Sequence, residues 1–226
     1  MATPLEAIVL TEQLNLPAHA PRDVRAACNP RFDLVGKDLV QLREDLSSVR
    51  GGDRIQRMEE CIRGSLRGDY LVQLLSGHPG SGKSTEPRWL AGELQQDRDG
   101  QLFHTVLVDL QEYIDIRDIQ LPEFITAIFS AIIDDSVLGP YARTSTTAKK
   151  IWKEVLSWVK ETGISLDSEI PLGVAKLKLS LKTSPGLQKR YRIASRDHIT
   201  SLMEGLGDLI QDVRSHLIKQ GVADLV

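Results

Sequence analysis

A chain of 226 residues, 41% hydrophobic, has enough apolar material for one large domain or two small ones. Its 28 basic and 31 acidic residues leave a net charge of -3, which excludes a global electrostatic footprint for nucleic acid, so no nucleic-acid partner is expected. Cys28 and Cys61 lie far apart without metal-ligand spacing, and the longest apolar run, 124–133, is too short to cross a bilayer; a soluble, cytoplasmic protein with no membrane partner is the expectation.

Residues 1–30 hold four prolines (Pro4, Pro17, Pro21, Pro30) and little periodicity, and read as a partly ordered arm. In 31–52, short apolar pairs alternate with charge. Asp53 then looks like the N-cap of a helix with Ile55, Met58, Cys61 and Ile62 on one face. Residues 70–76 (YLVQLLS) form a nearly continuous apolar run, as a strand buried on both faces of a parallel sheet would.

Directly after that run comes Gly77-His78-Pro79-Gly80-Ser81-Gly82-Lys83-Ser84-Thr85, which fits the phosphate-binding template G-x-x-x-x-G-K-[ST] at each fixed position. The glycines are needed because the backbone must wrap a phosphate chain and turn successive N–H groups inward, where side chains would obstruct. The amides of 80–85 then meet the phosphates at a helix N-terminus, where orphan donors and the helix dipole favour an anion. Lys83 would reach the β- and γ-phosphates of ATP, and the Ser84 hydroxyl would hold Mg²⁺. Pro79 has no N–H and shapes the loop. Trp89, Leu90 and Leu94 give the following helix an apolar face. Pro87 falls near its first turn and predicts a kink or a delayed helix start, with phosphate binding weaker than the motif alone suggests.

Residues 103–109 (FHTVLVD) read as a second parallel strand, with Asp109 a candidate metal-ordering acid at its end. The string 131–135 (AIIDD) resembles such an acid-bearing strand more closely still. Phe124, Ile125, Ile128, Phe129, Ile132 and Ile133 nevertheless recur at helical spacing after Pro122, so Asp134 and Asp135 read as a helix end. From 141 to 163 Ile151, Trp152, Val155, Leu156 and Val159 mark a helix, with Trp152 and Trp158 as packing residues and Lys149, Lys150, Lys153 and Lys160 as a modest basic face. Residues 174–183 (VAKLKLSLKT) alternate apolar and lysine, the pattern of a half-exposed strand. A long helix carrying Ile199, Leu202, Leu206, Leu209, Val213 and Leu217 closes at Gly221, and Val222 to Val226 look like the start of another buried strand.

Taken together, DLSSVRGGD before the loop, SGHPGSGKSTE at it, VLVDLQEYIDIRDI after it and KLKLSLKTSPGLQKR before the last helix resemble bacterial P-loop ATPases of the AAA/STAND kind over about residues 33–226. The resemblance implies an α/β fold: the P-loop NTPase three-layer α/β/α architecture with a parallel sheet, incomplete at its C-terminus, bearing an α+β insertion. The implied organisation is an arm at 1–30, the first part of the core at 31–140, a helical and β insertion at 141–185, and a long helix with the start of the next strand at 186–226. In such families the acids of the Walker B motif come after that strand. By this comparison the chain is an N-terminal portion that binds Mg-ATP and hydrolyses it poorly. Val49, Arg50 and Gly51 are candidate base or ribose contacts.

Two other readings stand beside it. One is a complete small-molecule or nucleotide kinase, or a GTPase, using Asp109 as the metal acid, although no N-K-x-D string is present. The other is a non-enzymatic regulatory remnant completed by a protein partner or by a homo-oligomer.

Overall fold

The computed structural model describes residues 53–65, 71–78, 81–113, 119–160, 163 and 166–226. The N-terminal arm, Cys28 and the candidate base contacts Val49, Arg50 and Gly51 lie outside them, as do Pro79 and Gly80. The chain divides into two compact units: Met1–Thr105 with Val222–Asp224, and Val106–Gly221 with Leu225–Val226.

In the first unit, Asp53 starts helix α1 (Arg54–Gly64), its Oδ1 accepting the N–H groups of Ile55 and Gln56 at 2.9 Å. Two of the four orphan amides of the helix start are satisfied in this way. One apolar face of α1, Ile55 with Met58 and Ile62, packs against Leu90 and Leu94 of α2 (Thr85–Leu94). Phe103 and Ala223 complete this small core. Leu94 retains no exposed surface, a burial that stabilises by about 2 kcal/mol. Beyond α2 the chain reverses at Asp99 and Gly100, both with positive φ (56° and 73°), and Arg98 bridges Gln101 across the turn. That mirror-image turn favours glycine at its second central position. It delivers the chain to β1 (Phe103–His104), which pairs with β2 (Asp224–Leu225). Ala223 N donates to Leu102 O, and Val106 N to Val226 O, a parallel register.

The second unit is helical. It comprises α3 (Leu110–Tyr113), α4 (Leu121–Asp134), α5 (Gly139–Ala142), α6 (Thr146–Val159), α7 (Ile170–Thr183), α8 (Pro185–Ser195), a 3₁₀ turn (Arg196–His198) and α9 (Ile199–Lys219). α4 buries nine of its 14 residues, because α7, α8 and α9 all pack on it and a helix covered from several sides must be apolar around most of its circumference. α9 shows the complementary pattern, a single stripe of Leu202, Leu206, Leu209, Val213 and Leu217. Trp152 and Trp158 are buried, as the packing reading requires. Asp134 ends α4, and Asp135 Oδ1 accepts the amides of Val137 and Leu138, so the acid pair caps a helix and does not end a strand.

The described residues do not form the expected three-layer sheet architecture. Among the described residues 68% are helical and the only strands are the two-residue β1 and β2. Leu71 to Ser76 form no strand, and Val72 and Leu74 are 90% and 92% exposed. An apolar run becomes a buried strand only when neighbouring strands pair with it, and β1 and β2 pair with each other. The expected strand at 103–109 stops at His104. The lysine-alternating segment is a helix: Ile170, Val174, Leu177 and Leu181, at spacings of four, three and four, bury one stripe of α7. Alternation had hidden that stripe because Leu177 and Leu181 belong to both patterns, and packing on α4 selects the helical one.

Candidate functional site

The phosphate-loop residues lie in the first unit, on the segment that runs into α2. Gly82 takes φ 85°, a left-handed conformation that a side chain would strain. At Gly77 a Cβ would come within 2.7 Å of Ser81 Oγ, so a side chain there would require that hydroxyl to turn aside. His78 O accepts Ser81 N at 3.1 Å and Lys83 Nζ at 2.6 Å, which folds the loop on itself and fixes the lysine against its own backbone.

Pro87 sets where the helix begins. Glu86 N donates to Gly82 O at 2.9 Å, a bond with helical spacing. The next rung, from residue 87 to Lys83 O, has no donor because residue 87 is proline. The regular helix accordingly starts at Thr85, with Ser84 as the N-cap position. Among the described residues, the amides of Gly82, Lys83 and Ser84 donate to nothing within the chain, and the Ser84 side chain makes no capping hydrogen bond. Three consecutive donors at the positive end of a ten-residue helix form an anion-accepting surface.

The far end of α2 is held by a residue the sequence did not single out. Arg63 of α1 donates to Glu93 O at 2.9 Å, Gln96 O at 3.3 Å and Gln101 O at 2.8 Å, while its Nε pairs with Glu59. A guanidinium on the last carbonyls of a helix satisfies acceptors that no intrahelical amide reaches and complements the dipole. Glu59, itself buried, also pairs with Arg98, and Arg98 with Glu93. The helix that carries the loop is thus clamped at its C-terminal end while its N-terminal amides stay open. The bonds from Arg63 to Glu93, Gln96 and Gln101 span 30 or more residues of sequence, and no local pattern marks them.

Asp109 is not brought to a strand end. It is exposed, belongs to the second unit, and its Oδ1 accepts Gln111 N at 2.9 Å at the start of α3. No group of three or more His, Cys, Asp or Glu side chains among the described residues could hold a metal by itself. A nucleotide-bound Mg²⁺ does not need one, since it takes most of its ligands from phosphates and water. The donor set Lys83, Ser84 and the three open amides fits such a group. The second unit encloses a cavity between Phe129, Trp152, Val174 and Leu206 of about 10 Å³, the size of one water and too small for a ligand.

No described helix is long and apolar enough to cross a membrane. Compared with protein families, curated proteins and solved structures, the chain matches none.

Proposed function

We propose that residues 77–85 bind the phosphates of Mg-ATP and that the chain is a nucleotide-binding module of AAA/STAND-like character, acting in the cytoplasm. The observation that carries this is the G-x-x-x-x-G-K-S string set against a helix start whose three preceding amides have no partner. On binding, Lys83 Nζ would exchange the His78 carbonyl for phosphate oxygens, adding a counter-charge to a bond whose donor is already ionised. The amides of Gly82, Lys83 and Ser84 would hold phosphate oxygens and the Ser84 hydroxyl would hold Mg²⁺, which would supply charge neutralisation of the phosphates. Rapid hydrolysis is not part of the proposal, because the one acid singled out for ordering the metal, Asp109, caps α3.

Calorimetry of Mg-ATP on the 226-residue chain, with phosphate release measured alongside, tests this for the wild type and Lys83→Ala. Saturable binding lost in the variant, with release at background, is the expected outcome. Wild-type and variant titrations that are alike would overturn it. Turnover abolished by Asp109→Ala would replace it with the kinase or GTPase reading.

A second reading has its own observation. Val72 and Leu74 present two large aliphatic side chains to water directly before the loop, which is what a segment completed by a protein partner or a second copy would show. Light scattering on the isolated chain tests it: Val72→Ser with Leu74→Ser should suppress concentration-dependent association, and a wild-type chain that stays monomeric would remove the reading.

A further inference from the structure

The turn that joins α2 to β1, Arg98-Asp99-Gly100-Gln101, contains the chain's one aspartate followed by glycine. Both ends of the turn are pinned: Arg98 pairs with Glu59 and Glu93, Gln101 O accepts Arg63 Nη1 at 2.8 Å, and Gln101 N donates to Arg98 O at 3.0 Å. The tip between them has no such ties. Asp99 and Gly100 are exposed, and among the described residues the Asp99 carboxylate has no hydrogen-bond or ion-pair partner and the Gly100 amide donates to nothing. A Cβ built on Gly100 would meet nothing within 4 Å.

Asp99 is also the one described non-glycine residue with a positive φ, 56°. Aspartate tolerates that left-handed conformation best where its side chain hydrogen-bonds locally, and Asp99 makes no such bond among the described residues. The other aspartates before a small residue are held. Asp135 precedes Ser136, and its Oδ1 accepts the amides of Val137 and Leu138, both at 2.8 Å. Asp167 precedes Ser168, and its main-chain carbonyl accepts Trp152 Nε1 at 3.3 Å, which opposes rotation of the peptide that follows.

We propose that Asp99–Gly100 is a site of spontaneous backbone modification, at which the folded chain converts aspartate to an isoaspartyl linkage. Gly100 N attacks Cγ of the protonated Asp99 carboxyl; a C–N bond forms, a C–O bond breaks, and the oxygen leaves as water carrying the carboxyl and amide protons. The product is a five-membered succinimide. Water then adds to one ring carbonyl and breaks its bond to nitrogen. Addition at the side-chain carbon restores aspartate, whereas addition at the main-chain carbon leaves the chain running through Cβ and Cγ with the former main-chain carbonyl as a carboxylate. One water leaves and one returns, so no oxidant or other co-reactant enters. Ring closure needs the peptide plane between residues 99 and 100 to rotate, and a glycine with open space around it follows that rotation without a clash. The linkage inserts one carbon into the main chain between two pinned residues, and it does not depend on nucleotide binding.

Incubation of the full chain in water enriched in heavy oxygen, folded and in urea, followed by peptide mapping with mass spectrometry, tests it. In the folded chain the peptide containing Asp99 should gain heavy oxygen and split into two chromatographic peaks of one sequence, at a rate within about tenfold of that in urea, because an untied tip needs little opening to react. The peptides containing Asp135 and Asp167 should react in the folded chain at least about tenfold more slowly than the Asp99 peptide. Asp99→Asn, which keeps a residue tolerant of the left-handed backbone, should reach the same succinimide faster and release ammonia. Asp99→Ser should abolish the second peak. A folded chain more than about tenfold slower than the unfolded one at Asp99 would overturn the proposal, since the turn would then protect the site. Folded-state reaction at Asp135 or Asp167 as fast as at Asp99, or an Asp99→Asn chain that releases no ammonia, would overturn it as well.

Discussion

The guanidinium of Arg192 on α8 pairs with the carboxylate of Glu123 on α4, a side chain with no exposed surface. Glu123 Oε2 also accepts Gln120 N at 3.1 Å, so one buried acid both caps its own helix and anchors a second. Removing one partner strands a buried charge, which costs about 3–5 kcal/mol, whereas replacing both with apolar groups of similar size is often nearly neutral. Arg192→Met should therefore lower the stability of the helical unit by about 3 kcal/mol or more, and Glu123→Met added to it should recover most of the loss. Urea unfolding followed by far-ultraviolet circular dichroism checks this; equal stability of single and double variants would show that the pair carries no coupling.

Tyr191, adjacent in sequence and fully buried, has its Oη 2.5 Å from Thr126 Oγ1. Burial pushes its phenol well above the ordinary value of 10.0; the nearby Glu123 carboxylate raises it further, and the Thr126 contact partly opposes them. The folded protein keeps the phenol neutral at a pH where the unfolded chain ionises it. Its stabilisation is accordingly complete below pH 10 and is lost as pH rises above that value, by up to about 1.4 kcal/mol per unit. Tyr191→Phe should flatten this alkaline slope while leaving the Thr126 hydroxyl satisfied by Pro122 O at 2.8 Å. Denaturant midpoints measured across roughly pH 9 to 11 decide it, and parallel slopes for variant and wild type would refute it.

Gly173 and Gly205 separate close packing from mere glycine content. A Cβ on Gly173 would collide with the Trp152 ring and with the backbone carbonyl of Asp167, neither of which can move without disturbing the core. One on Gly205 would meet a single side chain and no backbone, Ile151, with Cγ1 at 2.9 Å and Cδ1 at 3.5 Å. Gly173→Ala should cost about 1–3 kcal/mol and shift tryptophan emission. Gly205→Ala should fall within about 1 kcal/mol of wild type, the clash being offset by better helix propensity. Thermal unfolding of the two variants checks the ordering.

Restoring the missing donor at position 87 should move the start of α2 back by a residue or two. Pro87→Leu would supply an N–H for Lys83 O and complete the rung above Glu86. The expected results are a higher melting temperature for the first unit and several-fold tighter Mg-ATP binding, from a better ordered loop. Calorimetry on this variant beside the wild type measures both, and unchanged affinity would mean that the late helix start is without consequence for the site.

The helices were largely legible and the sheet was not. Asp53, Pro122 and Gly221 mark helix ends by local chemistry that needs no distant partner, and the structure uses all three there. The stripes on α4, α6 and α9 follow directly from the 3.6-residue period. Strands depend on partners far along the chain, so the apolar runs at 70–76 and 103–109 implied a sheet that pairing does not supply among the described residues. The alternating segment at 174–183 satisfied the periods of both strand and helix, and only contact with α4 decides between them. At the candidate site, the glycines, Lys83 and Ser84 were readable from spacing. The Arg63 clamp on α2 was not, because its partners lie 30 to 38 residues away.

One residue gives the first unit a late finish. Ala223 packs with Ile55, Leu90, Leu94 and Phe103, yet it follows Phe103 by about 120 residues, with the helical unit lying between them in sequence. At the pace of a ribosome, that interval is on the order of ten seconds. During synthesis the nascent chain presents α1, α2 and β1 with one side of their core uncovered until α9 has emerged and β2 can follow. The timetable of translation makes the loop-bearing unit the last to close, although most of it is the first to be made.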